Sequence, residues 1–205
     1  ADVIELLGAN PEKVYVVPGG VMLEEFEGLL DDTLLSSVRT RHGIAGDYLI
    51  HLGTLEPRKN LARLVEVYAR LADRHADLPQ LVLAGGKGWM YKPIFEAIER
   101  HGLATQVLCT GYLSRIDAVT LLKGARACVY PSLYEGFGLP VLEAMAARVP
   151  VLTSNVSSLP EVIGDTGILV EPEDEDGLEA GLSRLLFETS DEAGRIEAAW
   201  QRAQG

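Results

Sequence analysis

Cysteine is scarce in this sequence of 205 residues, which contains only Cys109 and Cys128. Two cysteines exclude a disulfide scaffold and a metal site built from cysteine alone. Both lie in apolar runs, so we expect them to be buried, reduced thiols. The four histidines have no spacing typical of metal ligands, and we therefore expect no metal site.

Positive charge is also scarce, because 18 lysines and arginines are outnumbered by 30 aspartates and glutamates, for a formal net charge of −12. A chain this acidic is a poor candidate for general binding to nucleic acid or to an anionic membrane, so a phosphate-binding site must be local. No run approaches the roughly 20 apolar residues of a membrane span. No signal peptide is visible, and we expect a cytoplasmic protein that binds no nucleic acid.

Two familiar phosphate-binding patterns are missing as well. No Gly-x-Gly-x-x-Gly occurs, which weakens the case for a dinucleotide-dependent dehydrogenase. The run Gly85-Gly86-Lys87-Gly88 lacks the earlier glycine and the following serine or threonine of a P-loop. Asp174-Glu175-Asp176 has the Asp-x-Asp spacing of some metal sites, but it stands at the start of a predicted helix, where acidic residues favour the first turn.

What the sequence does contain, from about residue 48 onward, is a regular alternation of short apolar runs and helical patterns. The apolar runs do not alternate cleanly with polar residues, which is typical of strands buried on both faces. Repeated strand–helix–strand units require a parallel sheet, so we predict a doubly wound, Rossmann-like α/β domain with its ligand at the carboxyl ends of the strands. The predicted strands are Tyr48–Gly53, Leu81–Gly85, Gln106–Gly111, Ala127–Ser132, Val149–Ser154 and Gly167–Glu171. The predicted helices are Leu61–His75, Pro93–His101, Ile116–Gly124, Leu139–Ala147, a short one after Ser158, Asp174–Glu188 and Asp191–Arg202.

The first 45 residues do not follow this alternation. We predict a strand at Val14–Pro18, a turn at Gly19-Gly20, and an irregular or weakly helical stretch at Glu24–Leu35. Residues 1–45 are therefore interpreted as an edge strand and a linker into a main domain at residues 46–205.

The most informative segment follows the fourth predicted strand and opens a helix. Residues 134–146 are Tyr-Glu-Gly-Phe-Gly-Leu-Pro-Val-Leu-Glu-Ala-Met-Ala. Gly136 and Gly138 let the backbone approach a ligand closely, and Pro140 suits the first helical turn. The free amides of Gly138 and Leu139 are expected to point out of the helix start, where the helix dipole also favours an anion.

Two carboxylates belong to the same segment. Glu135 lies in the loop before the helix, and Glu143 lies about one turn into it. Such a pair could serve as general acid and base, or it could accept hydrogen bonds from sugar hydroxyls.

A second segment, Gly53–Asn60, follows the first main strand. Asn60 is a plausible N-cap for the next helix. Arg58 and Lys59 are expected at the carboxyl edge of the sheet, where a planar fork of donors and a point charge both suit a diphosphate. Two cations beside a helix start could stabilise a departing diphosphate without a metal.

As a set, these motifs resemble the C-terminal, donor-binding half of the GT-B glycosyltransferases of family 4. The resemblance covers roughly residues 11–190. It is carried by the Glu-x7-Glu motif of Glu135 and Glu143, the Gly53–Asn60 loop, the turn Gly111-Tyr112-Leu113 and the run Ser158–Val162.

This resemblance implies a role for each site residue. Glu135, Arg58 and Lys59 would form the catalytic set, in which the two cations bind the donor diphosphate and Glu135 contacts the donor sugar near its reacting centre. Glu143 would bind the ribose hydroxyls, and the backbone around Tyr112 and Leu113 would meet the base. The implied donor-binding residues are Gly53, Tyr112, Leu113, Phe137, Gly138, Leu139 and Glu143. Family members retain the anomeric configuration and need no catalytic metal or other cofactor.

The resemblance also implies that this chain is part of a larger protein. The family's N-terminal domain, which binds the acceptor, is missing, and residues 1–45 are expected to hold its tail. The acceptor is expected to be a saccharide or a lipid-linked acceptor, and any peripheral membrane contact would come from the missing half at the inner face of the membrane. The fragment alone is expected to be inactive in transfer. The sequence looks most like bacterial polysaccharide mannosyltransferases, which makes GDP-mannose the expected donor.

Two positions depart from the family pattern. Many members have glycine where Arg148 stands, and many have Asn-Gly where this chain has Gly19-Gly20. Two alternatives stay open: a non-catalytic nucleotide-sugar-binding or regulatory module, and a sugar-phosphate synthase or phosphorylase of the same architecture.

Overall fold

A six-stranded, all-parallel sheet forms the centre of the computed structural model, which describes residues 2–15, 17, 19–188 and 192–204. The strands are β1 Tyr48–Leu52, β2 Gln80–Ala84, β3 Val107–Gly111, β4 Ala127–Tyr130, β5 Val151–Ser154 and β6 Ile168–Val170. Their order is β3-β2-β1-β4-β5-β6, so the direction of winding reverses between β1 and β4. The predicted doubly wound, Rossmann-like fold is confirmed, and the reversal marks where a ligand-binding crevice is expected.

Helices connect the strands and cover the sheet. They are α1 Asp2–Leu7, α2 Asp32–His42, α3 Leu61–Ala72, α4 Lys92–Arg100, α5 Arg115–Lys123, α6 Leu139–Ala146, α7 Leu159–Ile163, α8 Glu175–Phe187 and α9 Glu192–Ala203. From residue 48 onward, every predicted strand and helix is present to within three residues at either end. None of the described helices is long and apolar enough to cross a membrane.

Both faces of the sheet are buried, as the apolar strands predict. Successive residues of a strand point to opposite faces, and in β1 Leu49 packs with the layer that contains α3, α4 and α8. Its neighbours Tyr48 and Ile50 pack with the layer that contains α5, α6 and α7. Cys128 is buried and Cys109 half-buried, and both are free thiols.

The amino-terminal region differs most from the prediction. Helix α2 begins at the end of the stretch expected to be irregular or weakly helical, Glu24–Leu35, and continues to His42, where no helix is predicted. The Asp31 carboxylate caps it by accepting hydrogen bonds from the Thr33 and Leu34 amides. Gly43, in the left-handed conformation with a φ of 73°, ends it. Val38 on this helix is fully buried in the same core as β1, so part of the region before residue 46 packs with the main domain.

The predicted strand at Val14–Pro18 is wrong where it can be compared with the structure. Val14, Tyr15 and Val17 belong to no strand, and residues 16 and 18 lie outside the described residues. Tyr15 and Val17 are largely exposed, so this apolar run lacks the burial that would favour pairing with the sheet. The edges of the sheet are β3 and β6.

Candidate functional site

An open cleft of about 480 Å³ lies at the carboxyl ends of β1 and β4, where the sheet reverses its winding. This volume is within the usual range for small-molecule sites. The loops that follow these two strands, together with the start of α6, supply the walls. The cleft includes every predicted site residue except Tyr112 and Leu113; its lining residues are Gly53, Thr54, Glu56, Arg58, Lys59, Tyr130, Glu135, Phe137, Gly138, Leu139, Pro140 and Glu143.

The Glu135 carboxylate is the centre of the polar network in this cleft. Its Oε2 accepts a hydrogen bond from Arg58 Nη1 at 2.7 Å. Its Oε1 accepts one from Lys59 Nζ at 2.6 Å and another from Ser132 Oγ at 2.7 Å. The Glu135 and Lys59 side chains are almost fully buried, whereas Arg58 is 37% exposed. The predicted catalytic residues therefore lie in direct contact, and Arg58 is the cation that a ligand can reach.

Burial and charge pairing act in opposite directions on the pKa values of this network. Burial alone would raise the pKa of the Glu135 carboxyl, but the hydrogen bonds from Lys59, Ser132 and Arg58 outweigh it and lower that pKa. Burial lowers the pKa of Lys59 more than its contact with Glu135 raises it. Burial also opposes the charge of Arg58, yet its bonds to Glu135 and Glu56 raise the pKa overall.

The glycine-rich loop before α6 presents backbone amides to the cleft. Gly138 is the N-cap residue of α6 and has a φ of 102°. A Cβ at this position would lie 2.7 Å from Leu159 Cδ2, so glycine is required by both backbone and space. Among the described residues, the Gly138 and Leu139 amides have no backbone hydrogen-bond partner, which leaves them available to an anion at the helix start.

Two serines after β5 fix this loop from behind. Ser157 Oγ accepts a hydrogen bond from the Glu135 amide at 3.0 Å, and Ser158 Oγ donates to the Phe137 carbonyl at 2.8 Å. Ser158 and Glu161 have the spacing of a capping box, but the Ser158 side chain makes no cap to α7. The Ser158 hydroxyl donates to the Phe137 carbonyl instead, because that carbonyl would otherwise have no hydrogen-bond partner in a partly buried loop.

Asn60 also differs from its predicted role. It does occupy the N-cap position of α3, but its φ is 59° and its side chain makes no cap hydrogen bond. Instead Asn60 Nδ2 donates to the Pro172 carbonyl at 2.7 Å, which joins the first loop to the segment after β6. The left-handed backbone turns the amide side chain away from the helix start, where capping would need an extended residue.

Glu143 lines the far end of the cleft and is bound by a cation that the sequence did not point to. Arg115 Nη1, at the start of α5, donates to Glu143 Oε1 at 2.6 Å. Arg115 also binds the Glu25 carboxylate, with Nε donating to Oε2 at 3.0 Å. Tyr112 lies just before α5 and is 86% exposed, whereas the Leu113 side chain is buried in the core, so only its backbone could meet a ligand.

A buried histidine lies beneath the cleft. His51 on β1 stacks on Tyr130 with ring centroids 5.1 Å apart, and its Nδ1 lies 3.1 Å from the Val129 carbonyl. Burial, chiefly, lowers the pKa of His51 to about 4, so the ring is neutral and Nδ1 carries the proton that Val129 accepts. Tyr130 in turn accepts a short hydrogen bond from Lys59 Nζ. This stack supports the floor of the cationic network.

Sequence reasoning missed several of these supporting residues. Ser132 ends a predicted strand and the Ser157–Ser158 pair follows another, so their position at the carboxyl edge was a usable signal. Arg115 and Glu25 carried no such signal, because their partners are 28 and 90 residues away along the chain. No group of three or more histidine, cysteine, aspartate or glutamate residues in the described ranges is placed to hold a metal ion.

Comparison with known proteins identifies the family of this chain. The family model "Glycosyl transferases group 1" matches residues 39–202. O-antigen chain mannosyltransferase B of Escherichia coli is 41% identical over 143 residues, 70% of this chain and 38% of that protein. A glycogen synthase of Mycobacterium tuberculosis is 29% identical over 203 residues, 98% of this chain and 46% of that protein.

A solved structure shows the same fold. The crystal structure of Anabaena Alr3699/HepE in complex with UDP-glucose superimposes with a TM-score of 0.84 at 21% identity, over 98% of this chain and 55% of that chain. This chain therefore spans about half or less of each of these proteins. Since the family model covers most of the chain and the sheet has the Rossmann-like architecture of GT-B glycosyltransferases, the chain belongs to the group 1 glycosyl transferases.

Proposed function

We propose that this chain is the nucleotide-sugar-binding part of a retaining, metal-independent glycosyltransferase, and that its donor is GDP-mannose. The observation that carries the proposal is the buried Glu135 carboxylate, bound by Arg58 and Lys59 beside the free amides of Gly138 and Leu139. Cations and a helix start suit a diphosphate, and a carboxylate suits the hydroxyls of a sugar.

The diphosphate is proposed to lie between Arg58 and the start of α6. Arg58 is the more exposed cation, and it can donate to phosphate oxygens while Lys59 keeps Glu135 in place. A single pair of unit charges at about 4 Å is worth roughly 4 kcal/mol at an effective dielectric constant of about 20, before desolvation. Stabilisation of this size at the leaving group is the term that usually dominates such a reaction.

In the proposed reaction the bond between the sugar C1 and the β-phosphate oxygen breaks, and the acceptor hydroxyl oxygen forms a bond to C1 on the same face. The acceptor proton passes to the departing phosphate oxygen, which Arg58 and the amides of Gly138 and Leu139 stabilise as charge develops on it. Glu135 is proposed to orient the donor sugar. The acceptor is proposed to be a saccharide or lipid-linked saccharide, held by a part of the longer protein outside this chain.

The proposed identity of the donor's sugar and base depends on the similarity to O-antigen chain mannosyltransferase B. A glucosyl donor is the second candidate, and the similarity to a glycogen synthase over nearly the whole chain favours it. A non-catalytic module would keep the cleft but lose transfer. The three possibilities differ in which nucleotide sugar binds and in whether the longer protein transfers it.

Calorimetric titration in the presence of EDTA tests the proposal. GDP-mannose, UDP-glucose and ADP-glucose are compared with GDP, UDP, ADP and inorganic pyrophosphate. We expect binding without metal, with GDP-mannose the tightest ligand, and a loss of about tenfold or more in Arg58→Met, because a charge-assisted hydrogen bond is worth about 1.5–3 kcal/mol.

The matched control is Arg100→Met, which removes an arginine paired with Glu66 on the outer surface of α3 and α4. Equal affinity in wild type and Arg58→Met would contradict the proposed diphosphate site. Tighter binding of UDP-glucose or ADP-glucose than of GDP-mannose would contradict the mannosyl donor and favour the glucosyl one. Tight binding by a longer protein that transfers sugar to no acceptor would favour the non-catalytic module.

A further inference from the structure

Arg115 joins two carboxylates that come from different parts of the chain. Its Nη1 donates to Glu143 Oε1 at 2.6 Å, and its Nε and Nη2 both donate to Glu25 Oε2. The guanidinium also lies over the Phe26 ring, 5.5 Å from its centroid. The fork of arginine donors can bind two carboxylates at once in fixed directions, which a lysine ammonium does less well.

This contact leaves part of Glu143 free. Within the described part of the chain, Glu143 Oε1 accepts the bond from Arg115, and no hydrogen bond is formed by Oε2. The Glu143 side chain is only 17% exposed, and it lines the cleft from the first turns of α6. A carboxylate held at one oxygen presents its other oxygen in one orientation, which reduces the entropy lost when a hydroxyl binds.

Arg115 also changes the charge at this end of the cleft. A bare Glu143 carboxylate near a bound diphosphate would repel it, and the whole chain already has a net charge of −12. The hydrogen bond to Glu25, followed by the contact with Glu143, raises the pKa of Arg115, so the guanidinium stays charged. Arg115 therefore offsets one of the two negative charges that Glu143 and Glu25 place at this end of the cleft.

The amino-terminal segment reaches the cleft at a second point. A Cβ at Gly19 would lie 2.9 Å from the Phe137 ring, so the backbone before Glu25 packs directly on the glycine-rich loop. Glu25 ends a short 3₁₀ helix, Leu23–Glu25, and lies at the junction between this segment and α5. The segment thus contacts both the loop that presents the amides and the arginine that binds Glu143.

We propose that Arg115 is a positioning residue for the ribose part of the donor site: it orients Glu143 so that the free oxygen accepts hydrogen bonds from the ribose hydroxyls, and Glu25 in turn holds Arg115. This inference rests on the proposed nucleotide-sugar function and adds to it a residue that touches no ligand. It also gives the amino-terminal segment a part in nucleotide recognition.

The test is a set of titrations that separate ribose recognition from diphosphate recognition. The probes are GDP, 2′,3′-dideoxy-GDP and inorganic pyrophosphate, with UDP or ADP and its dideoxy form if that base binds more tightly. We expect Arg115→Met to weaken GDP about tenfold, the size of one charge-assisted hydrogen bond. Dideoxy-GDP and pyrophosphate should lose clearly less affinity than GDP, at most about threefold, because neither has ribose hydroxyls for Glu143 and only the lost positive charge affects them.

Three further variants make the test specific. Glu25→Gln should give the same pattern with a smaller loss, about threefold, since Glu143 keeps its contact with Arg115. Arg115→Lys should restore part of the GDP affinity lost in Arg115→Met. Arg100→Met, the surface control, should bind all three probes as the wild type does. If Arg115→Met does not fold, Glu25→Gln and Arg115→Lys still report the pattern.

Two results would overturn the inference. If Arg115→Met lost equal affinity for GDP and for pyrophosphate, Arg115 would act only as a general cation. If Arg115→Met bound GDP as tightly as the wild type or more tightly, Arg115 would have no role in ribose binding or would compete with the ribose for Glu143. Neither result touches the diphosphate site, which Arg58→Met tests with pyrophosphate. A wild-type chain that binds no nucleoside diphosphate would overturn both proposals.

Discussion

Arg58 donates two hydrogen bonds to one carboxylate oxygen of Glu56: Nε lies 3.1 Å and Nη2 lies 2.8 Å from Oε1. Since Arg58 also binds Glu135, two carboxylates compete with a diphosphate for this cation. We expect Glu56→Gln to raise the affinity for inorganic pyrophosphate several-fold, because a partly exposed competing ion pair is worth up to about 1 kcal/mol. Calorimetric titration measures this directly.

The control for this prediction is Glu66→Gln, which removes a carboxylate that pairs with Arg100 on the outer surface. It lowers the net negative charge by the same amount without touching Arg58. Pyrophosphate affinity that rises equally in both variants would mean that total charge, and not the release of Arg58, sets the affinity.

The buried His51 ring predicts an acid-sensitive step in stability. Burial, above all, lowers the pKa of His51 to about 4 in the folded state, whereas the unfolded state binds this proton with a pKa near 6.5. Stability is therefore full above about pH 6.5 and falls as the pH drops toward 4, by about 3 kcal/mol for a shift of this size. Denaturant unfolding between pH 4 and 7.5 should show this slope in the wild type and a much flatter one in His51→Phe.

The charged groups that act on His51 are Lys59, which lowers its pKa, and Glu135, which raises it. Glu135 has a lowered pKa of its own, so its contribution is lost only at more acid pH, below the ordinary value of about 4.3 for a glutamate. His75→Gln, which alters an exposed histidine whose ring lies at a tilt beside Phe187, serves as the control. A slope that persists in His51→Phe would assign the acid sensitivity to another group.

Gly138 and Gly136 should respond differently to alanine. Gly138 has a φ of 102° and a Leu159 methyl 2.7 Å from the place of a Cβ, whereas no atom of the described residues lies within 4 Å of that place at Gly136. We expect Gly138→Ala to lower the free energy of unfolding by about 1–3 kcal/mol and to weaken pyrophosphate binding. Gly136→Ala should stay within about 0.5 kcal/mol of the wild type. Thermal unfolding of the two variants measures this difference, and similar losses of stability in both would contradict the geometry.

Arg148 stands where glycine is common in the family, and its φ of 59° shows why glycine suits this position. The arginine compensates by contacts with α9: its guanidinium lies 3.9 Å from the Trp200 ring centroid and 2.5 Å from Glu197. We expect Arg148→Ala to lose about 1 kcal/mol, because it keeps the strained backbone and loses the contacts. Arg148→Gly should lie close to the wild type, because it loses the contacts but relaxes the backbone. An Ala variant as stable as the Gly variant would show that the backbone conformation carries no cost.

The cationic centre of the site could be predicted from sequence because each half of it follows directly from a strand. Arg58 and Lys59 follow β1 and Glu135 follows β4, and the carboxyl ends of neighbouring parallel strands meet at one edge. The strands themselves were visible as apolar runs. Helix α2 was missed, although Asp31 and Gly43 mark both its ends, because its interior has little amphipathic pattern.

Side-chain direction was the part that sequence could not supply. Asn60 and Ser158 both stand at the starts of helices, where their types favour capping, yet each side chain binds a distant carbonyl instead. The choice depends on backbone conformation and on which unpaired carbonyl lies nearby, and both are set by tertiary packing. The Arg115–Glu143 contact is of the same kind, since it depends on the distance between α5 and α6 in space.

The bond from Asn60 to the Pro172 carbonyl spans 112 residues, and the Lys59–Glu135 pair spans 76. Contacts of such long sequence separation form late, because the chain must first close large loops. The cleft is therefore expected to form only after the half of the sheet that contains β1 has paired with the half that contains β4. Recovery of ligand binding during refolding should coincide with the last kinetic phase, and a donor would act as a probe of the fully assembled sheet rather than of any single loop.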